Sequence, residues 1–355
     1  LKEIHEQPDA LTNTISPRII NGLPDFSDDN IPDELFKNIR RIVITACGTA
    51  MHAGMFGRIM IEKYSRIPVS VEIASEFRYS NPILADDTLV IAISQSGETA
   101  DTLAAVRLAK SCGAKTLSVV NVKGSIIANE SDYVLYTHAG PEISVASTKA
   151  YVVQLSLMYL IAYRIAMVNG MLSDEAAANK VKGLFTAIDN MKKVLNMDEE
   201  LYLITNKLSK AEDIFYLGRG LDYAIACEGS LKLKEISYIH AEAYAAGELK
   251  HGTISLITDN VPVIAFATQE HIYQKVISNV VEVRSRGAYV ILVTSAGKHV
   301  DTTLCDHHII LPRMDEEFTP FCTAVILQYL AYYTAVRRNL NVDQPRNLAK
   351  SVTVE

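Results

Sequence analysis

Arg41-Ile-Val-Ile-Thr-Ala-Cys-Gly48 and Asp213-Ile-Phe-Tyr-Leu-Gly-Arg-Gly220 carry the reading of the fold. Each is an apolar, strand-forming run that ends in glycine, the pattern of a buried strand feeding a tight turn. A helical pattern follows each one, over residues 51–64 and 223–239. In the first half the pattern predicts further strands over 69–74, 88–94, 115–121 and 132–137, with a helix over 100–111. In the second half it predicts strands over 260–268, 288–295 and 308–312, with helices over 271–284 and 320–337. Strands that alternate with helices imply a mostly parallel sheet covered on both faces. The glycine turns and the strands that follow them recur at nearly the same spacing in both halves, which points to an internal duplication.

The predicted fold class is therefore α/β, two tandem doubly wound parallel-sheet domains. The expected organisation is an N-terminal arm (1–40), a first domain (41–195), a polar linker (196–210), a second domain (211–338) and an irregular C-terminal tail (339–355). The 355 residues suit two domains at about 150 residues each. With 49% hydrophobic and 21% charged residues, the chain has ample material for two cores, which excludes disordered and fibrous classes. A formal charge of −7 and the lack of any basic block argue against a nucleic acid or an anionic membrane as partner. Cys47, Cys112, Cys227, Cys305 and Cys322 are odd in number and widely spaced, which predicts a reduced, cytoplasmic chain without disulfides or a zinc knuckle. The apolar stretches 155–168 and 321–336 are interrupted by Arg164 and Gln328. They fall short of the ~18 apolar residues of a membrane span and are expected as buried helices.

Such folds bind ligands where loops leave the carboxyl ends of strands. Ser94-Gln-Ser-Gly-Glu-Thr99 lies at such a point, before a predicted helix. Hydroxyl donors at Ser94, Ser96 and Thr99, a close backbone at Gly97 and a helix N-terminus together suit a phosphate. The same residues also serve as ordinary helix caps. The matching loop of the second half, Ala267-Thr-Gln-Glu270, has neither serines nor glycine. A mere cap should survive duplication, so the asymmetry favours phosphate binding in the first half. Cys47-Gly48-Thr49-Ala50 forms a second candidate wall of that pocket. Lys232 and Glu235 share one helix face, where one tunes the other. A small-residue run then leads to Lys250-His251-Gly252, and a carboxylate with an imidazole suits proton abstraction beside a carbonyl. Cys305-Asp-His-His308 resembles metal ligands but leads straight into a strand with no second cluster, so no metal is assigned. On composition alone the tail, with Pro345 and no periodicity, reads as a frayed end.

Three segments, Ser94–Thr102, Glu235–Gly252 and Asp343–Glu355, closely resemble the sugar-isomerase (SIS) half of the glucosamine-6-phosphate synthase family, the glutamine–fructose-6-phosphate aminotransferases. The resemblance covers essentially the whole chain. It implies two flavodoxin-like SIS domains and the isomerisation of fructose 6-phosphate. Ser94, Gln95, Ser96 and Thr99 would hold the phosphate, while Cys47, Gly48, Thr49, Val145, Ser147 and Ala349 would line the sugar. His251, reaching in from the other subunit of a homodimer, would open the ring, with help from Arg219. Lys350 would form an imine with the C2 ketone, overturning the frayed-tail reading. Glu235 would carry the proton from C1 to C2, and Lys232 would serve proton traffic at O1. No cofactor is implied. The family carries serine where this chain has Ala50, so only a backbone amide remains there for the phosphate. The family's glutaminase domain precedes this region, so the chain alone is expected to yield glucose 6-phosphate rather than glucosamine 6-phosphate. A stand-alone phosphosugar isomerase and a non-catalytic sugar-phosphate sensor are the rival readings.

Overall fold

Two five-stranded parallel sheets organise the chain in the computed structural model, which describes residues 1–354. The first contains β1 (Arg41–Ala46), β2 (Val69–Ile73), β3 (Thr88–Ser94), β4 (Lys115–Val120) and β5 (Tyr133–Tyr136), in the order β2-β1-β3-β4-β5. The second contains β6 (Asp213–Gly218), β7 (His240–Ala245), β8 (Pro262–Ala267), β9 (Tyr289–Ser295) and β10 (His307–Leu311), in the order β7-β6-β8-β9-β10. Both sheets thus follow the flavodoxin-like order 2-1-3-4-5. The duplicated strand pattern is repeated at the level of topology.

The chain divides into two compact units, each built on one sheet. The unit of the first sheet holds Asp9–Ile143, Ser147–Lys182 and the tail from Ala349 onward. Its central strand β3 is buried at all seven positions, as expected for a strand covered on both faces. Helix α1 (Gly48–Ser65) lies against α3 (Lys149–Val168), with α2 (Ala100–Ser111) between β3 and β4 in sequence. The α1–α3 contact is close because Gly57 has no side chain where Met158 sits, and the rings of Phe56 and Tyr159 meet at 4.7 Å. α3 is long and apolar enough to cross a membrane, and 83% of its most apolar window is buried inside the protein. The expectation that this stretch is too short to span is therefore corrected, while its reading as a buried helix stands on packing instead.

The unit of the second sheet holds Leu1–Pro8, Ser144–Ala146 and Gly183–Leu348. The chain enters it within α4 (Asp174–Leu195) and continues through α5 (Asp198–Leu208). α5 corrects the linker expected over 196–210: Leu201, Ile204 and Leu208 are buried at helical spacing, so the stretch is part of the core. α6 (Leu221–Ser237), α7 (Tyr273–Arg284) and α8 (Thr319–Arg337) complete the unit. Val276, Val280 and Val283 of α7 pack with Val263, Ala265, Val290 and Leu292 of β8 and β9 in one cluster. The first forty residues, expected as an arm, are folded in: Arg18 is buried, with its guanidinium bonded to Asp29 and to the carbonyl of Tyr136.

Candidate active site

The serine loop forms because β3 ends at Ser94 and α2 begins at Ala100, leaving five residues to turn the chain. Gly97 takes φ +67°, a left-handed conformation that suits glycine. Ser94 Oγ accepts the Gly97 amide at 3.0 Å and lies 3.1 Å from Thr99 Oγ1, while Ser96 Oγ accepts the Glu98 amide at 3.2 Å. The loop is tied to its neighbours by the Asn121 amide on the Gln95 carbonyl and the Ile127 amide on the Gly97 carbonyl. The result is a preformed concave turn at a helix N-terminus, with hydroxyls at its rim. A Cβ at Gly97 would run into the Ser125 side chain. Gly97→Ala is accordingly expected to distort the turn and raise the KM for a phosphorylated sugar at least about tenfold, the size of one lost charge-assisted hydrogen bond. Steady-state kinetics at constant salt measure this.

Beside it, Gly48 takes φ +53° and opens α1, with Thr49 and Ala50 in the first helical turn. Cys47, at the N-cap, is half-buried, and burial pushes its thiol above the ordinary range. Its Sγ lies 4.0 Å from Thr102 Oγ1. Raised in this way, the thiol is poorly suited to act as a nucleophile.

From Ala349 onward the tail belongs to this same unit and is not frayed. Lys350 Nζ lies 2.6 Å from Glu142 Oε2, whose side chain is fully buried. The Val352 carbonyl accepts the Ala100 amide at 3.1 Å, on the first residue of α2. Ser147 Oγ donates to Glu142 Oε2 at 3.4 Å, and Ala349 is exposed beside Lys350. Glu142 went unnoticed in the sequence, because a lone glutamate between Pro141 and Ile143 carries no pattern and its partner lies 208 residues away.

In the other unit, α6 places three charges on one face. Lys232 Nζ is 2.5 Å from Glu235 Oε2 and 3.6 Å from Glu228 Oε1, with Lys232 and Glu228 buried and Glu235 one-fifth exposed. Glu235 is the accessible member of the triplet, so it is the one able to meet a substrate. Arg219, in the turn after β6, is held by Asn279 Oδ1 at 3.0 and 3.3 Å, and its guanidinium packs where a side chain on Gly247 would stand. The small-residue run 241–247 is thereby explained in part by strand β7 and in part by this contact. His251 closes a 3-10 turn (Glu248–His251) and is exposed. The Val145 amide donates to the Asp343 carbonyl at 3.0 Å in this unit. The candidate residues therefore form two sets: Cys47–Ala50, Ser94–Thr99, Ser147, Ala349 and Lys350 on the first unit, and Val145, Arg219, Lys232, Glu235 and His251 on the second.

The second unit's counterpart of the serine loop holds an anion of its own. Asp222 is buried in the first turn of α6, where its carboxylate accepts the Thr268 amide at 2.8 Å and the Thr268 hydroxyl at 2.6 Å. Burial outweighs these bonds and pushes its carboxyl up to about 6. A carboxyl raised on folding binds more protons in the folded state, so its contribution is full below about pH 4 and is lost as pH rises through 6. Replacing it with asparagine is expected to remove that slope. The stability difference between Asp222→Asn and the parent should change by about 2 kcal/mol between pH 4 and pH 6.5, read from urea midpoints.

Comparison with known proteins bears on these residues. The SIS domain model matches residues 35–164 and 207–338. A glutamine–fructose-6-phosphate aminotransferase [isomerizing] of Clostridium acetobutylicum is 51% identical over 356 residues, covering 100% of this chain and 59% of that protein. Its counterpart from Methanosarcina mazei is 46% identical over 362 residues, covering 58% of its length. The chain thus spans less than two thirds of the length of these two relatives. Among solved structures, the C-terminal domain of glucosamine-fructose-6-phosphate aminotransferase from Francisella tularensis superposes with a TM-score of 0.92 at 40% identity, covering 97% of each chain.

Proposed function

Because the chain belongs to the SIS-domain family, within the group typified by the C-terminal domains of glutamine–fructose-6-phosphate aminotransferases, we propose that it isomerises fructose 6-phosphate. The observation that carries this reading is the docked tail: Lys350 lies on a buried carboxylate, two residues from a carbonyl bonded to the helix of the serine loop. A sensor of sugar phosphates needs the loop but no lysine delivered to it.

In this reading Ser94, Gln95, Ser96 and Thr99 hold the phosphate at the α2 N-terminus, with the Ala50 amide adding one donor. Cys47, Gly48, Thr49, Val145, Ser147 and Ala349 line the sugar. His251 opens the ring, and its exposure suits a residue that serves the site of a second copy. Arg219 assists, held in place by Asn279. Lys350 adds to C2 and water leaves, giving an imine that water or ammonia displaces before any proton moves, and the ketone or ammonia imine then at C2 makes the C1 proton acidic. Glu235 takes that proton and returns it to C2, while Lys232 serves the proton at O1. Water returns the Lys350 imine to the open-chain ketone with the amine beside O2, and the proton transfer on that ketone, through an enediol, gives glucose 6-phosphate. With ammonia supplied by a glutaminase domain, ammonia displaces Lys350 and the product is glucosamine 6-phosphate.

The test is glucose 6-phosphate formation from fructose 6-phosphate by this chain and by its Lys350→Ala variant. Turnover by the parent, with loss in the variant, supports the reading. Tight binding of fructose 6-phosphate without conversion would move the sensing role ahead of it.

A further inference from the structure

The carboxylate of Glu142 has no part in the chemistry above, yet four donors converge on it. Oε1 accepts the Thr148 amide at 2.8 Å and the Ala150 amide at 2.9 Å; Oε2 takes Lys350 Nζ at 2.6 Å and Ser147 Oγ at 3.4 Å. A fully buried carboxylate persists only when its lone pairs are filled and a cation stands beside it. Thr148 and Ala150 lie at the start of α3, where backbone amides have no acceptor within the helix. α3 is a core helix, so these two bonds hold the carboxylate fixed from the helix side. The tail from Ala349 onward, by contrast, has no repeating structure to hold it, and it is pinned by the Lys350 ion pair and by the bond between the Val352 carbonyl and the Ala100 amide.

We propose that Glu142 is the positioning residue for Lys350: it transfers the rigidity of α3 to the tail and fixes where the amine stands relative to the serine loop. The docking itself follows from the contacts, whereas its meaning for catalysis rests on the function proposed above.

The experiment compares the full chain with Glu142→Gln, Glu142→Asp and Lys350→Met, using amide hydrogen exchange and steady-state kinetics. Glutamine keeps an oxygen for the Thr148 and Ala150 amides but presents no charge to Lys350. In Glu142→Gln, protection at Thr148 and Ala150 should therefore stay within about threefold of the parent. Protection at Ala100 and across residues 349–354 should fall about tenfold or more, as for one lost charge-assisted bond. Lys350→Met should reproduce the tail pattern alone, and Glu142→Asp should restore part of it. In turnover, Glu142→Gln should lower kcat about a hundredfold with the KM for fructose 6-phosphate nearly unchanged, because positioning acts on the reacting atoms and not on the phosphate. Unchanged protection at Ala100 and the tail would overturn the proposal. So would equal loss at Thr148 and Ala150, since Glu142 would then hold the unit together rather than the lysine. If the parent chain turns over no sugar phosphate, the proposed function falls, and the exchange comparison still decides the docking.

Discussion

Glu235→Gln is expected to lower kcat for the conversion of fructose 6-phosphate to glucose 6-phosphate about 10²–10⁴-fold, the contribution of a positioned general base. Glutamine retains the shape and still offers an oxygen to Lys232 Nζ, now 2.5 Å from the carboxylate, so the helix should fold unchanged. The contacts proposed for the phosphate lie on the other unit, so KM should move little. The discriminating readout is solvent exchange: the parent should wash tritium or deuterium from C1 of the sugar, and the variant should not, even where binding is intact. If exchange continues at the parental rate in Glu235→Gln, another group abstracts the proton and the assignment fails. Glu228 would be the poorer candidate, because it is 1% exposed and no substrate reaches it.

The second large effect is a gain rather than a loss. If His251 serves the site of a neighbouring copy, Glu235→Ala and His251→Ala should each be nearly inactive alone and active when mixed. In a dimer of two-fold symmetry, a mixed pair contains one site with both groups intact and one with neither. Random re-association of equal amounts makes half the dimers mixed, so activity should recover to about one quarter of the parental value. Gel filtration of the mixture confirms that exchange has taken place. No recovery after complete exchange would mean that His251 acts within its own subunit or not at all. The exposure of His251 fits the first outcome, since an imidazole serving its own subunit's pocket would gain from being enclosed there.

How much of this was legible in the sequence depended on whether the signal was local. β3 and α2 match the predicted bounds of 88–94 and 100–111, because a continuous apolar run and a capped amphipathic stretch are local patterns. The serine loop follows from them. β7 was missed, because His240-Ala-Glu-Ala-Tyr-Ala245 is rich in residues with little strand preference and is held by pairing with β6. The polarity of α5 suggests a linker, although Leu201, Ile204 and Leu208 recur at helical spacing. Glu142 carries no readable signal, because its partner is distant in the chain and a single glutamate has no period, and the place of the tail is legible only through the family resemblance. The role of Asp222 was hidden for the same reason: its acceptor function appears only once Thr268 of β8's following loop stands beside it.

The α1–α3 contact has a consequence for how the protein is made. A chain emerging from the ribosome exposes its most apolar helix, Lys149–Val168, at a time when targeting factors and chaperones compete for such segments. Its partner α1, with Phe56 facing Tyr159 and Tyr64 facing Tyr163, has by then already been synthesised. The helix therefore meets a waiting cover within its own unit instead of an interval of exposure. A swap that placed α3 ahead of α1 in a permuted gene would remove that protection, and insolubility during synthesis would follow even though the finished contacts were the same.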